Sequence, residues 1–206
     1  MRLAATEGFA YEFLPSLIAG FQALRPGIVF QLDLCVQAEV ARKVREGEAD
    51  IGVTVSMTSE KGVDVALRHP APVLAVVAPG HPLANRRQVS LAQALAYPLA
   101  LPAPATTLRQ LFDISCSRQG LHAEPVFTSS HLYPLFNYVA ATHAVSFCGE
   151  TALRQHLRNG EVCAIALRDR EMNERHFEVQ TLAGRHLPDA VQAFINHLRE
   201  VLALEH

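Results

Sequence analysis

Two extended apolar segments far apart in the chain, Val73–Ala78 and His176–Leu182, constrain the fold more than any other feature. The first runs into the turn Pro79-Gly80-His81-Pro82-Leu83-Ala84. The second feeds an amphipathic pattern over Pro188–Leu204 that returns to the start of the chain. A chain that crosses out and back in this way builds two lobes from three segments. The expected division is residues 1–74 plus 179–206 for the first lobe and 75–178 for the second. Such a path leaves a cleft between lobes, and clefts between domains are where small molecules bind.

Between the crossings, strand and helix patterns alternate, which predicts an α/β architecture with mainly parallel sheets. Arg2–Thr6 reads as a strand ending in the polar turn Thr6-Glu7-Gly8. Phe9, Phe13, Leu14, Leu17, Ile18, Phe21 and Leu24 then recur at helical spacing. Pro15 fits that helix only in its first turn. Ile28–Cys35 alternates as a strand, Ala38–Arg45 reads as a helix closed by Gly47, and Asp50–Val55 as the third strand. Ser90 with Gln93, and Thr107 with Gln110, each fit a capping box, the second opening a helix that ends at Gly120. Further on, Pro125–Thr128, Ala144–Cys148 and Val162–Leu167 read as strands, and His131–Ala141 and Glu150–Arg158 as helices. The polar run Arg168–Arg175 reads as a solvated loop.

Composition narrows the function. The chain has 206 residues, half of them hydrophobic and 18% charged, which suits a globular protein with a full core. A formal net charge of −2 argues against a nucleic-acid surface within this segment, and Arg42, Lys43 and Arg45 form too small a cluster for one. The four cysteines (Cys35, Cys116, Cys148 and Cys163) stand far apart with no CxxC pair, as expected of free thiols in a reducing compartment. No apolar run approaches the ~20 residues that span a bilayer. With no export signal after Met1-Arg2, a cytoplasmic location is expected, and Leu204-Glu205-His206 resembles the start of a purification tag. Neither a cofactor nor a metal is called for: the ten histidines show no HxH or HExxH spacing. Nucleophilic catalysis lacks a GxSxG motif, and Cys148-Gly149-Glu150 has no evident histidine partner.

Several strands are followed by a small polar turn and then a helix: Thr6-Glu7-Gly8, Cys35-Val36-Gln37, Pro104-Ala105-Thr106-Thr107 and Thr128-Ser129-Ser130-His131. In open α/β sheets the ligand lies beyond the carboxyl ends of the strands. Helix N-termini there offer unpaired N–H groups and partial positive charge, which suits a carboxylate. Ser and Thr before a helix are also ordinary N-caps, so each hydroxyl has two readings. His131, at the start of a helix, is either a surface histidine or a group that pairs with an acid when protonated.

Taken in order, the segments resemble the effector-binding domain of LysR-type transcriptional regulators, from Arg2 to about Val201. Arg2-Leu3-Ala4-Ala5-Thr6-Glu7-Gly8-Phe9-Ala10 with Leu14-Pro15 is similar to the family's opening strand, ligand loop and helix. Phe21-Gln22-Ala23-Leu24-Arg25-Pro26, Arg45-Glu46-Gly47-Glu48-Ala49-Asp50-Ile51-Gly52, Pro79–Ala84 and Val89–Leu95 are similar to its later elements, as are Leu132–Ala141 and Val191–Leu198. The resemblance implies two Rossmann-like lobes around an effector cleft, like a type 2 periplasmic binding protein. It implies a bacterial transcription factor whose winged helix-turn-helix lies outside this chain. That missing part would be its only contact with DNA, with no membrane partner. Side-by-side dimers of this domain and tetramers at full length are also implied. Carried over by position, Thr6, Gln37, Thr106, Thr107, Ser129, Ser130 and His131 would line the site for a small, anionic effector.

The chain departs from the family at Thr142-His143-Ala144, where Gly-x-Gly is usual, and at Gly149, where proline is frequent. Both departures are expected to border the second lobe's wall of the cleft. A stand-alone solute-binding protein of a transport system shares the fold and is the alternative. An enzyme on this fold lacks an acid–base pair or nucleophile.

Overall fold

The computed structural model describes residues 1–55 and 60–203. In chain order the elements are β1 (Arg2–Ala5), α1 (Glu7–Ala10), α2 (Phe13–Leu24), β2 (Gln31–Leu34), α3 (Gln37–Arg45), β3 (Ile51–Val55) and β4 (Val63–Pro70). There follow β5 (Val73–Val77), β6 (Gln88–Val89), α4 (Leu91–Ala94), β7 (Leu99–Pro102), α5 (Thr107–Arg118), β8 (Pro125–Ser129) and α6 (Leu132–Ala140). The last are β9 (Ser146–Gly149), a 3-10 turn (Glu150–Ala152), α7 (Arg154–Arg158), β10 (Cys163–Leu167), α8 (Arg170–Asn173), β11 (His176–Leu182) and α9 (Asp189–Ala203). The resemblance to a tag at 204–206 lies outside the described residues.

The chain forms two compact units, Met1–His69 with His176–His206, and Pro70–Arg175. The division therefore falls a few residues ahead of both positions expected from sequence. Val73–Ala78, expected as the first crossing, lies wholly within the second unit.

The first unit carries one five-stranded sheet, ordered β2-β1-β3-β11-β4. β1 pairs in parallel with both β2 and β3, while β11 runs antiparallel to β3. The second unit has a four-stranded sheet, β6-β10-β5-β9, and a two-stranded one, β7-β8. A parallel bridge between Leu99 and Val145 links the pair to β9. β7 and β8 are parallel, and β5 is antiparallel to both β9 and β10. β6 is also parallel to β10, so the sheets are mixed, with parallel pairs in the majority among the described residues. The antiparallel pairs involve β5, the first strand of the second unit, and β11, with which the chain re-enters the first.

Local chemistry explains the element boundaries. The apolar pattern from Phe9 to Leu24 is split at Tyr11-Glu12 into α1 and α2, so that Pro15 falls in the first turn of α2, where its missing N–H costs nothing. Gly47 and Gly120 stand at positive φ (+70° and +66°), ending α3 and α5 in the left-handed conformation that glycine adopts freely. Ser90 and Gln93 form the expected capping box: the Ser90 hydroxyl accepts from the Gln93 N–H at 3.2 Å, and the Gln93 side-chain Oε1 accepts from the Ser90 N–H at 3.0 Å. The second box shifts by one residue. Thr106, not Thr107, caps α5, its hydroxyl accepting from the Arg109 N–H at 3.2 Å.

The run Arg168–Arg175 is not a solvated loop. It contains α8, buries Met172 completely, and anchors through Asp169, whose carboxylate accepts from the Leu91 N–H at 2.9 Å and the Gln119 amide at 2.8 Å. That carboxylate offers acceptors to the N-terminus of α4, which explains why a charged residue sits inside.

In the first unit, Phe9, Phe13 and Phe177 pack edge to face or tilted on one side of the sheet, and Phe21, Phe30 and Phe194 meet nearby. On the other side α3 lies directly on β3. A Cβ on Gly52 would come 2.8 Å from Val40 Cγ1 and 2.9 Å from Val44 Cγ2, and both valines are fully buried. Valine in a helix has essentially one χ1 rotamer, so neither can swing away. Gly52→Ala should therefore cost about 1–3 kcal/mol through overpacking. It should lower the urea midpoint without changing the slope of the transition. Gly80→Ala, with nothing within 4 Å, should stay within about 0.5 kcal/mol of the wild type.

Candidate functional site

Parallel pairing fixes where the candidate residues lie. In the first unit, Ala5 stands opposite Leu34 and Val53, so β1, β2 and β3 end on the same edge of the sheet. Thr6 follows β1 on that edge, its N–H donating to the Val53 carbonyl at 3.1 Å. The chain leaving β2 is held the same way, with the Cys35 N–H donating to the Ala5 carbonyl at 2.9 Å, and Gln37 then opens α3. Thr6 precedes α1 but its side chain makes no capping bond, and neither does that of Val36 before α3. The first turns of α1 and α3 therefore keep backbone N–H groups uncapped by these side chains at this edge.

In the second unit, Pro102 stands opposite Ser129, so the segments after β7 and β8 also share an edge. The Ala103 N–H donates to the Ser129 carbonyl at 2.8 Å, drawing the two loops together. Thr106 and Thr107 follow one strand, and Ser129, Ser130 and His131 the other. Gly149, the last residue of parallel β9, completes the same edge.

The side chains at this edge are not equivalent. The Thr106 hydroxyl donates to the Ala103 carbonyl at 2.9 Å while accepting from the Arg109 N–H, so its single proton is already committed within the protein. Its first role is to hold the start of α5. Arg109 braces the same turn, donating to the Pro102 carbonyl at 3.2 Å and pairing with Asp113 at 2.8 Å. The Ser129 hydroxyl accepts from the His131 N–H at 3.1 Å, a bond that does not use its own proton. Ser130 and His131 are exposed, and His131 occupies the N-cap position of α6 without a capping bond from its side chain. The seven expected residues thus form two groups, one on the carboxyl edge of each unit.

Thr142-His143-Ala144 lies elsewhere. Ala144 precedes Val145, which pairs with Leu99 and Pro98 at the amino end of β7, the opposite edge of the sheet. Thr142 closes that turn itself, donating to the Tyr138 carbonyl at 2.7 Å and accepting from the Ala144 N–H at 3.2 Å. Of the two departures expected at the cleft wall, only Gly149 stands at the candidate edge.

The four thiols are free. Burial pushes the Cys116 thiol up to about 11 and raises Cys148 further, so at neutral pH both are protonated and poor nucleophiles. Among the described residues no group of three His, Cys, Asp or Glu side chains could hold a metal ion.

Mixed α/β units whose loops and helix N-termini collect beyond parallel strands define a small-molecule-binding domain. The family described as the LysR substrate binding domain matches residues 1–203, and the chain belongs to that family. The chain is 25% identical over 163 residues to the HTH-type transcriptional regulator CysL of Bacillus subtilis (strain 168), which covers 79% of the chain and 54% of CysL. It therefore spans about half the length of that curated relative. Two solved structures share the fold. The regulatory domain of CcmR from Synechocystis PCC6803, in complex with 2-PG, superposes with a TM-score of 0.81 at 18% identity, over 98% of this chain and 96% of that one. The effector binding domain of QuiR in complex with shikimate gives 0.77 at 14% identity, over 98% and 95%. The chain thus shares the periplasmic-binding-protein-like fold of LysR regulatory domains that the resemblance implied.

Because Thr106 is a cap, Thr106→Ala should lower stability by about 1 kcal/mol. Ser130→Ala, at an exposed site, should change it by less than about 0.5 kcal/mol. Chemical denaturation of the two variants checks the difference. Equal stability would show that the α5 cap contributes nothing.

Proposed function

We propose that this chain is the ligand-sensing domain of a bacterial LysR-type transcriptional regulator and that its effector is a small metabolite carrying an acid group. The observation that carries the reading is the pair of carboxyl edges. Each presents two loops that enter helices and that carry hydroxyl, amide or imidazole side chains. Thr6 and Gln37 serve one edge. Thr107, Ser129, Ser130 and His131 serve the other, on a turn that Thr106 holds. These are donor-rich surfaces of the kind that bind carboxylates at helix N-termini. The shikimate held by QuiR is itself a carboxylate, which supports an acidic effector here.

Sensing requires that the effector bind two states of the protein unequally, because equal affinity shifts no equilibrium. The proposed output is a changed arrangement of subunits. β2 is the outer strand of its sheet, and exposed apolar side chains cluster in sequence around it: Leu24, Val29, Leu34 and Val36. We assign the homodimer contact to this edge. The apolar face of α2 is core, since Phe13, Leu14, Leu17 and Phe21 are buried. In this reading the full-length protein is a cytoplasmic tetramer that reaches DNA through a winged helix-turn-helix outside this chain, and it catalyses no reaction. Among the described residues no helix is long and apolar enough to cross a membrane.

The test is a thermal-shift titration of this chain with small carboxylates, shikimate among them, against their neutral amides. A ligand at a hundredfold excess over Kd stabilises the folded state by about 2.7 kcal/mol. For a chain of this size that raises Tm by about 5–10 °C. One class of acid should give such a rise, its amide should not, and His131→Ala with Gln37→Ala should weaken it at least tenfold. A rise unchanged in the double variant would remove these edges as the site. No rise with any acid would remove the acidic effector.

A further inference from the structure

Arg175 lies in the segment that leaves the second unit, and its position is unusual for a guanidinium. Its Nε is enclosed and has no hydrogen-bond partner. Among the described residues no carboxylate pairs with it, although Glu174 beside it is paired with Arg170 and Glu150 begins the next turn of chain after Gly149. The residue as a whole, backbone included, is half-buried. Burial lowers its pKa to about 10, against a small opposing effect of Cys148, so it stays charged at neutral pH. An enclosed cation without an anion is costly, and native proteins seldom keep one without a use.

Its place in the fold supplies the use. Arg175 Nη1 lies 3.7 Å from where a Cβ on Gly149 would stand, and the Pro72 carbonyl lies 4.0 Å from that same point. The backbone is fixed there, since the Arg175 carbonyl accepts from the Ala71 N–H at 2.8 Å. Gly149 ends β9 and pairs with Val73, and β9 neighbours β7. The guanidinium therefore sits at the carboxyl edge that also carries Thr106, Thr107, Ser129, Ser130 and His131. With strands about 4.8 Å apart, it lies about one to two strand spacings from the end of β7, within the span of a small organic acid.

We propose that Arg175 is the counter-charge for the acid group of the effector, a binding residue that anchors a carboxylate or a similar oxyanion at the second unit's edge. The assignment rests on the effector reading above and sharpens it. A guanidinium offers a planar fork of donors matched to two oxygens of one anion, which a hydroxyl or a helix terminus cannot. Glycine at 149 leaves the oxygens of such an anion room beside Nη1.

The experiment uses sulfate as the smallest oxyanion probe, with sodium chloride at equal ionic strength as the control for general salt effects. In the wild-type chain sulfate should give a saturable rise in Tm beyond the chloride curve. Arg175→Met should abolish the saturable part, and Arg175→Lys, which keeps the charge but not the fork, should weaken it at least tenfold. In low-salt zwitterionic buffer without oxyanions, Arg175→Met should be as stable as the wild type or more so, because an unpaired buried charge has been removed. A purely structural arginine would give the reverse, a destabilised variant with its sulfate response intact.

Absence of a saturable response in the wild type, or the same response in Arg175→Met, overturns the proposal. Should Arg175→Met fail to fold, Arg175→Lys decides by the same criterion. An organic acid that binds wild type and Arg175→Met equally would overturn the anchor and leave the effector reading standing. Sulfate binding through Arg175 with no organic acid bound would do the opposite.

Discussion

The parallel pairing of β1 with both of its neighbours is the constraint on which the first unit depends. Parallel strands must be joined by crossovers, so the ends of β1 and β2 are each followed by a loop and a helix start on the same edge. Thr6 and Gln37 become neighbours through the hydrogen bonds from the Thr6 N–H to Val53 and from the Cys35 N–H to Ala5, although 31 positions separate them in the sequence. β7 and β8 repeat the device in the second unit through the bond from the Ala103 N–H to Ser129. Register, more than any side chain, gathers the polar groups that a ligand would meet. The same geometry explains the glycine at 52, since α3 can return over β3 only if nothing stands between them.

Fold and binding draw on the same polar side chains at these edges, and the structure separates the two uses. Thr106 spends its proton on Ala103 and a lone pair on Arg109, so it fixes the loop from which Thr107 and the first N–H groups of α5 are presented. Ser129 gives a lone pair to the His131 N–H and retains its proton. Arg175 is the opposite extreme, a charge that the fold leaves unmet. A site tuned for a ligand differs from one tuned for stability in this respect, because the unmet donors are the ones available for recognition.

Much of the architecture was legible because the patterns are strong. The capping box at Ser90 and Gln93, the closing glycines at 47 and 120 and the apolar face of α2 all stand where local chemistry puts them. The quotable order of segments was enough to suggest the family. Three things were not legible. The cap at Thr106 rather than Thr107 could not be resolved because both are threonines, and only the backbone decides which hydroxyl faces the Arg109 N–H. The antiparallel entries of β5 and β11 leave no trace in hydrophobic period. The run Arg168–Arg175 looks solvated because it is charged, yet Asp169 is drawn inside by two donors and Arg175 by the open place beside Gly149, contacts that come from residues 20 or more positions away. The candidate site was legible as two sets of turn residues. Its charged member was hidden by its polar neighbours.

The central proposal, that the effector is met at a carboxyl edge and not at the opposite ends of the strands, is tested most directly by amide hydrogen exchange with and without a saturating organic acid that stabilises the chain. Bound acid should slow exchange in the segments around Thr6, Gln37, Thr107, His131 and Arg175, and leave the opposite edge around Pro98 and Thr142 unchanged. Protection that appears instead around Pro98 and Thr142, or that is spread evenly over the chain, would contradict the account.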